Sequence, residues 1–426
     1  MRFAVPTCRQ RLSIHPSTLH HRNGRSASWY HPFLLSILSL QTSSQLSLFL
    51  FSSVGLSFQQ QQRRDFTTQP GKTKMSHISK AEAFYKPHRK HPELFQEHFL
   101  ESWLHPDMLE IVQDFEKYYE KQWQKQQEDN GNMDEIDTTL SPMDDAKATQ
   151  ISSKLNLETS GVYSFECLSE SFLEMINEEL FHFYKVTAEH DIPVRRPNSM
   201  NNYGVILNEI GMRPMITALQ QQYIWPIARV LFPTQGKVFH DHHSFIVRYQ
   251  ADEDLGLDMH TDDSDVTFNV CLGDKNFTGA TLVFCGTFGQ ADHRQFQHTY
   301  HHKVGRAVMH LGDRRHGAED IDEGTRMNWI VWNHNWEYRS SPQYKQRMTT
   351  LAYQAEHLPP SKVCLSYTHD RDYTHFHSEL PKAAEDLHLH PWCPPPGKEY
   401  EGYGKVSLRH KLSRQTGNGE THPNEL

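Results

Sequence analysis

The first 64 residues contain no acidic side chain, although Arg2, Arg9, Arg11, Arg22, Arg25, Arg63 and Arg64 are basic and Ser, Thr and Gln are frequent. That acid-poor, Arg- and Ser-rich composition is typical of an organelle transit peptide. A long uninterrupted apolar run is also missing: 33–40 and 46–58 are separated by Gln41-Thr42-Ser43-Ser44-Gln45. A spanning helix is therefore not obvious, but a secretory signal or a membrane anchor still fits the run. A third reading makes Met75 the true start. Localisation follows whichever holds: mitochondrion or another organelle, the ER or a membrane, or the cytoplasm. In every case the leader, 1–74, is expected to stand outside the fold, and any membrane contact is expected only through it.

A basic surplus is absent too. Across 426 residues there are 43 Lys+Arg against 52 Asp+Glu, a formal charge of −9. A chain built mainly to hold nucleic acid would show a basic domain, so no nucleic-acid partner is expected. The six cysteines, at 8, 167, 271, 285, 364 and 393, form no C-x-x-C pair. This argues against a disulfide scaffold and a cysteine zinc ribbon, and predicts reduced thiols, several of them packed. What the chain does have is histidine, 30 of them.

Behind the leader three stretches follow. Residues 75–160 read as a helical, acidic-loop extension: Pro106 opens a periodic segment through Met108, Leu109, Ile111, Val112 and Phe115, and 128–145 is acidic with Asn130-Gly131-Asn132. The compact domain is expected over 161–355. It opens with a short strand at 161–165, then a helix with Phe172, Met175, Ile176, Leu180 and Phe183 at helical spacing. A polar loop at 196–204 and a second helix over 214–231 follow. Short β-type runs come next, at 244–249, 267–272, 280–284, 297–302, 307–311 and 327–332, without helices between them. That grain reads as a β sandwich or barrel. Residues 356–426 form an irregular His- and Pro-rich tail.

The chemistry-bearing residues lie between 249 and 333. His260 and Asp262, two apart, point to the same side of an extended chain. With a second His from a later strand they complete a two-His, one-carboxylate face, which leaves positions open on an octahedral ion and suits non-haem Fe(II) oxygenases. The triplet alone is weak, since His105-Pro106-Asp107 repeats it at a helix start. His316 and Arg326 bracket an acidic loop ending in Gly324-Thr325, a natural connection between antiparallel strands. A buried Arg326 needs an anion. Either a dicarboxylate ligand or one of Glu319, Asp320, Asp322 and Glu323 in the turn supplies it. The sequence 240–243, with three histidines, reads as a polar turn; His301-His302 reads as surface strand; Trp329, Trp332 and Trp336 read mostly as core, with one able to line an opening.

The string His260-Thr261-Asp262, the 266–273 strand, Phe277-Thr278-Gly279-Ala280, His310-Leu311-Gly312, His316-Gly317-Ala318 and Gly324-Thr325-Arg326 resembles the Fe(II)/2-oxoglutarate-dependent dioxygenases. The likeness is to the prolyl/lysyl hydroxylase branch, and within it to the 2-oxoglutarate and iron-dependent oxygenase domain-containing proteins. The loop 196–201 and the stretch 245–249 fit the same relatives, so the resemblance covers roughly 160–355. It implies a mainly β, α+β fold with a double-stranded β-helix (jelly-roll) core and flanking helices. It implies His260, Asp262 and His316 as iron ligands, with His310 the competitor for the third place, and Arg326 as anchor for the far carboxylate of 2-oxoglutarate. Tyr249 and Asn269 would help hold that cosubstrate. The implied reaction consumes 2-oxoglutarate and O2, releases succinate and CO2, and hydroxylates a C–H bond, of a protein lysyl or prolyl side chain or of a small molecule; ascorbate would serve as reductant. The alternative is a non-catalytic jelly roll that uses the same pocket for binding.

Overall fold

The computed structural model describes residues 80–130, 140–273, 276–347 and 358–366. The proposed leader, the centre of the acidic loop and most of the tail lie outside the described residues. Among the described residues no helix is long and apolar enough to cross a membrane.

Thirteen strands are described. They are β1 (Asn156–Thr159), β2 (Val162–Glu166), β3 (Gly204–Ile206), β4 (Asp241–Gln250), β5 (Leu257–His260), β6 (Val266–Cys271), β7 (Thr278–Gly279), β8 (Leu282–Thr287), β9 (Phe296–Tyr300), β10 (Arg306–Leu311), β11 (Arg314–Ala318), β12 (Ile321–Glu323) and β13 (Thr325–His334). They form a seven-stranded sheet ordered β1-β2-β10-β6-β13-β4-β3, a four-stranded sheet ordered β5-β11-β8-β9, and a small β7–β12 ribbon. From β4 onward the chain crosses back and forth between the two larger sheets, save for the β8–β9 pair within one of them, and their pairings are antiparallel. That alternation is the winding of a double-stranded β-helix: the jelly roll implied by the sequence is the observed core.

Helices pack on the outer face of the larger sheet. The helix Pro106–Asn130 starts with Pro where its missing N–H costs nothing and buries Met108, Ile111, Val112 and Phe115. The helix Glu170–Glu189 is capped by the Ser169 side chain, which accepts from the Phe172 N–H, and buries Phe172, Ile176, Leu180 and Phe183. The expected helix over 214–231 runs from Arg213 to Leu231, widened at Gln220–Ile224 into π geometry just ahead of Pro226. These helices share one core with Phe165, Phe268, Val270, Met309 and Trp329 of the sheet, and Tyr85, Phe99 and Trp103 join them. Packing therefore runs continuously across 160, and Gly161, at φ +70, is the turn of the β1–β2 hairpin.

Four expectations need correction. Residues 241–243 are the first residues of β4, and buried His242 is held by Thr217, Asn208 and Ser244. The β9 strand ends at Tyr300; His301 is exposed, but His302 turns inward with Nδ1 3.4 Å from the Asn328 amide nitrogen. The strands β11 and β13 do not form a hairpin, because the loop between them crosses from one sheet to the other. Finally, Cys285 and Cys364 form a disulfide across a separation of 79 residues, while Cys167 and Cys271 are free and buried.

Candidate metal centre

The inner face of the four-stranded sheet places His260, at the end of β5, directly opposite His316 of β11, with ring centroids 4.3 Å apart. Asp262 follows two residues after the strand end, and its N–H donates to the Gly312 carbonyl at 2.8 Å. The approach there is so close that a Cβ on Gly312 would lie 1.9 Å from the Ser264 carbonyl oxygen, so only glycine fits. One ligand atom from each of His260, Asp262 and His316 lies within 4.8 Å of the others. Asp262 Oδ1 is 3.4 Å from His260 Nε2 and 3.7 Å from His316 Nε2.

The second ring nitrogens are already committed. His260 Nδ1 donates to the Asp258 carbonyl and His316 Nδ1 to the Arg314 carbonyl, each at 2.8 Å and each two residues back. Those bonds fix the tautomer and leave both Nε2 lone pairs aimed at Asp262, the arrangement a metal ligand requires. Thr267 Oγ1 donates to Asp262 Oδ2 at 2.6 Å, orienting the carboxylate while Oδ1 faces the imidazoles. Burial pulls the His316 imidazole down to about 3, against the pull of Asp262. Burial acts to raise the Asp262 carboxyl, but the His316 and His260 imidazoles outweigh it and hold the group well below the usual carboxylate range. At neutral pH, His316 is therefore neutral and Asp262 ionised, both in the state that binds a divalent cation.

His310 sits beside this cluster rather than in it. Its buried ring meets His316 edge-on at 4.8 Å and Phe284 at 5.2 Å, and Nδ1 donates to the Leu311 carbonyl. Of the two candidates for the third position, the geometry groups His316 with His260 and Asp262.

The same cavity is lined from the seven-stranded sheet by Arg326, Tyr249, Asn269 and Asn328. Arg326, 1% exposed, donates to the Ala280 carbonyl at 2.6 Å and stacks over Tyr249 with 4.6 Å to the ring centre. Among the described residues no carboxylate pairs with it, so Glu319, Glu323 and the other turn acids do not supply its anion. Its Nε, the Asn328 Oδ1 and the His302 Nε2 are buried without a hydrogen-bond partner. Asn328 donates to Asn269 Oδ1 at 2.5 Å. The Tyr249 hydroxyl accepts from Asn201, which belongs to the 198–203 loop. Asp254 pins that loop by accepting from the Asn202 and Tyr203 N–H groups.

All six residues singled out in the sequence, His260, Asp262, His316, Arg326, Tyr249 and Asn269, thus face one cavity. Thr267, Asn328, Asn198 and Asn201 line it as well, and sequence reasoning missed them. Thr267 had a signal: on β6 it shares the period-two face of Asn269. Asn198 and Asn201 had none, because a loop carries no such alternation. Of the tryptophans, Trp329 is core, Trp332 lines the cavity, and Trp336 is 45% exposed.

A family model described as the OGFOD2-like domain matches residues 81–237. The 2-oxoglutarate and iron-dependent oxygenase domain-containing protein ICU11 of Arabidopsis thaliana is 38% identical over 192 residues, 44% of this chain and 48% of the relative. The human 2-oxoglutarate and iron-dependent oxygenase domain-containing protein 2 is 37% identical over 177 residues, 41% of this chain and 49% of the relative. The chain spans about half the length of these curated relatives. Among solved structures, a prolyl hydroxylase from Trichoplax adhaerens, in complex with a hypoxia inducible factor oxygen degradation domain peptide fragment, is 16% identical. It covers 43% of this chain and 88% of that one, with a TM-score of 0.32.

Proposed function

We propose that the chain is an Fe(II)- and 2-oxoglutarate-dependent dioxygenase that hydroxylates a substrate C–H bond, with a protein lysyl or prolyl side chain as the substrate class the resemblance suggests. One observation carries the reading. Two imidazoles and a carboxylate converge in a cavity that the other sheet lines with a buried arginine, which has no described carboxylate partner.

Both ends fit the groups in question. Two neutral nitrogens and one anionic oxygen are the donor set that leaves open positions on Fe(II). A buried guanidinium with an unsatisfied N–H calls for an anion, and one carboxylate of a dicarboxylate is the right size and charge. With iron, 2-oxoglutarate and O2 bound, the chemistry supplied is oxidative decarboxylation to succinate and CO2 coupled to hydroxylation of the substrate carbon.

The chain's own part is positioning. His260 and His316 would present Nε2 to the ion, Asp262 would offset one positive charge, and Thr267 orients the carboxylate through its hydrogen bond to Oδ2. Arg326 would pair with the far carboxylate, its stack on Tyr249 keeping the guanidinium aimed. The Asn269–Asn328 pair lines the space between. Phe245, Ile330 and Trp332 give the cavity an apolar part of its lining, and Asn198 and Asn201 of the 198–203 loop, which Asp254 holds, line it too.

The test is an anaerobic visible spectrum of the full chain with Fe(II), before and after 2-oxoglutarate. A charge-transfer band is expected that His316→Ala abolishes and His310→Ala retains. Arg326→Ala should weaken 2-oxoglutarate by about 10- to 100-fold, the worth of a charge-assisted hydrogen bond, while leaving iron affinity nearly unchanged. A folded, iron-loaded protein without the band would favour the binding-module alternative, and equal loss of both ligands would remove Arg326 from its role.

A further inference from the structure

Side chains on the four-stranded sheet alternate between the cavity and the opposite, outer face. Leu282 and Phe284 of β8, with His316 and Ala318 of β11, face inward. Val283 and Cys285 of β8, with Met259 of β5, form a separate outer cluster, and the fourth member of that cluster is Cys364. Cys364 belongs to the segment 361–366, far along the chain, and the disulfide to Cys285 ties it to the sheet.

That segment contacts side chains of both histidine-bearing strands. Arg315, next to His316, donates through Nε to the Cys364 carbonyl at 2.6 Å. Ser366 Oγ donates to Asp258 Oδ2 at 2.8 Å, and Asp258 is the residue whose carbonyl receives His260 Nδ1. Upstream, the Ser361 N–H donates to the Arg294 carbonyl, and Ser361 Oγ accepts from the Phe296 N–H. The segment is thus bonded to β9, β8, β11 and β5 in turn.

We infer that residues 361–366 act as a positioning strap for the metal centre, in which the Cys285–Cys364 bond and the Ser366–Asp258 contact hold β5 and β11 in the register that sets His260 opposite His316. The inference rests on the proposed metal-binding role of those residues. Its physical basis is that each imidazole is aimed by a carbonyl within the strands the strap grips. Loosening the strap removes one restraint on Asp258 and one on Arg315, and a shift of either carries its neighbouring imidazole away from the Asp262 oxygen. Outer partners of metal ligands typically change metal affinity by about 10- to 100-fold when removed.

The experiment uses the full chain and Mn(II) alone, with binding read as loss of the free-ion EPR signal. Protein is compared as prepared, after reduction by a phosphine that is then removed without air, and after reoxidation. In the reduction the phosphine breaks the S–S bond and takes oxygen from water, whose two hydrogens complete the two thiols. The expected result is about tenfold or weaker Mn(II) affinity after reduction, with far-UV circular dichroism unchanged, and recovery on reoxidation. Ser366→Ala, which leaves the disulfide intact, should weaken Mn(II) in the same direction, and Ser366→Thr should restore it. If reduction unfolds the protein, the Ser366 pair alone decides. Equal affinity in Ser366→Ala and in the unaltered protein would overturn the strap. Failure of the oxidised protein to bind Mn(II) at all would instead overturn the proposed metal centre.

Discussion

The two large sheets of this jelly roll are supported in opposite ways. The seven-stranded sheet is covered by helices, and its outer face joins a continuous aromatic and aliphatic core around Phe172, Phe268 and Trp329. Among the described residues, the four-stranded sheet has a cluster of Met259, Val283, Cys285 and Cys364 on its outer face, and its β11 pairings are interrupted by register shifts beside His316. Yet the short sheet carries two of the three candidate metal ligands, and the long one carries Arg326. The outer faces are thus backed differently: helices and a large hydrophobic core behind the sheet of Arg326, and a disulfide with a few polar contacts behind the sheet of His260 and His316.

The sharpest way to break that division is to damage the larger sheet. Trp329 is fully buried, sits in register between Ile246 and Val270, and packs against Phe172. Trp329→Ala should cost about 3–5 kcal/mol of stability by denaturant unfolding. Mn(II) affinity measured well below the new midpoint should stay within about threefold of the parent. A collapse of affinity in a still-folded sample would show that the sheets are not separable.

Acid strikes both layers together. His242, beside the helix Arg213–Leu219, and His316 on β11 are both pulled down to about 3 by burial, and His302 is lowered well below its usual value for the same reason. In the unfolded chain these imidazoles take up protons below about 6.5, but in the folded protein only at much lower pH. The unfolded state then binds more protons, so stability falls as pH drops through that window. For the metal-free protein, each such histidine should cost about 1 kcal/mol over the first unit below 6.5. A flat unfolding free energy between pH 6.5 and 5.5 would contradict their being held neutral.

A smaller, more local change sharpens the comparison from the other side. Thr267 reaches from β6 of the larger sheet to orient Asp262. Thr267→Val keeps the volume and removes the donor, and it should weaken Mn(II) about tenfold while changing stability by only about 1 kcal/mol. An unchanged Mn(II) affinity would mean that Asp262 is oriented by its own backbone alone.

Much of this was legible from local pattern. Helical spacing located Phe172, Ile176, Leu180 and Phe183 on one buried face, and short apolar runs located six of the jelly-roll strands to within a few residues. The pattern failed where polarity misled it. Residues 241–243 looked like a turn because three consecutive polar residues hide a strand whose histidine is satisfied by Thr217, Asn208 and Ser244, partners in other parts of the chain. His302 looked exposed for the same reason, with Asn328 the partner that could not be seen.

Residue type and spacing alone marked which side chains were chemically able to act: His260 and Asp262 two apart, His316 and Arg326 flanking an acidic loop, and a β grain that brings period-two faces together. Local chemistry and periodicity suffice for that, because they depend on neighbours along the chain. Long-range pairing grouped His316 rather than His310 with His260 and Asp262, left Arg326 without a described carboxylate partner from its own turn, and joined Cys285 to Cys364. Each of those outcomes depends on which strand lies across the cavity or the sheet from which. Such neighbours are set by the order of strands in the closed jelly roll, which no short stretch of sequence contains.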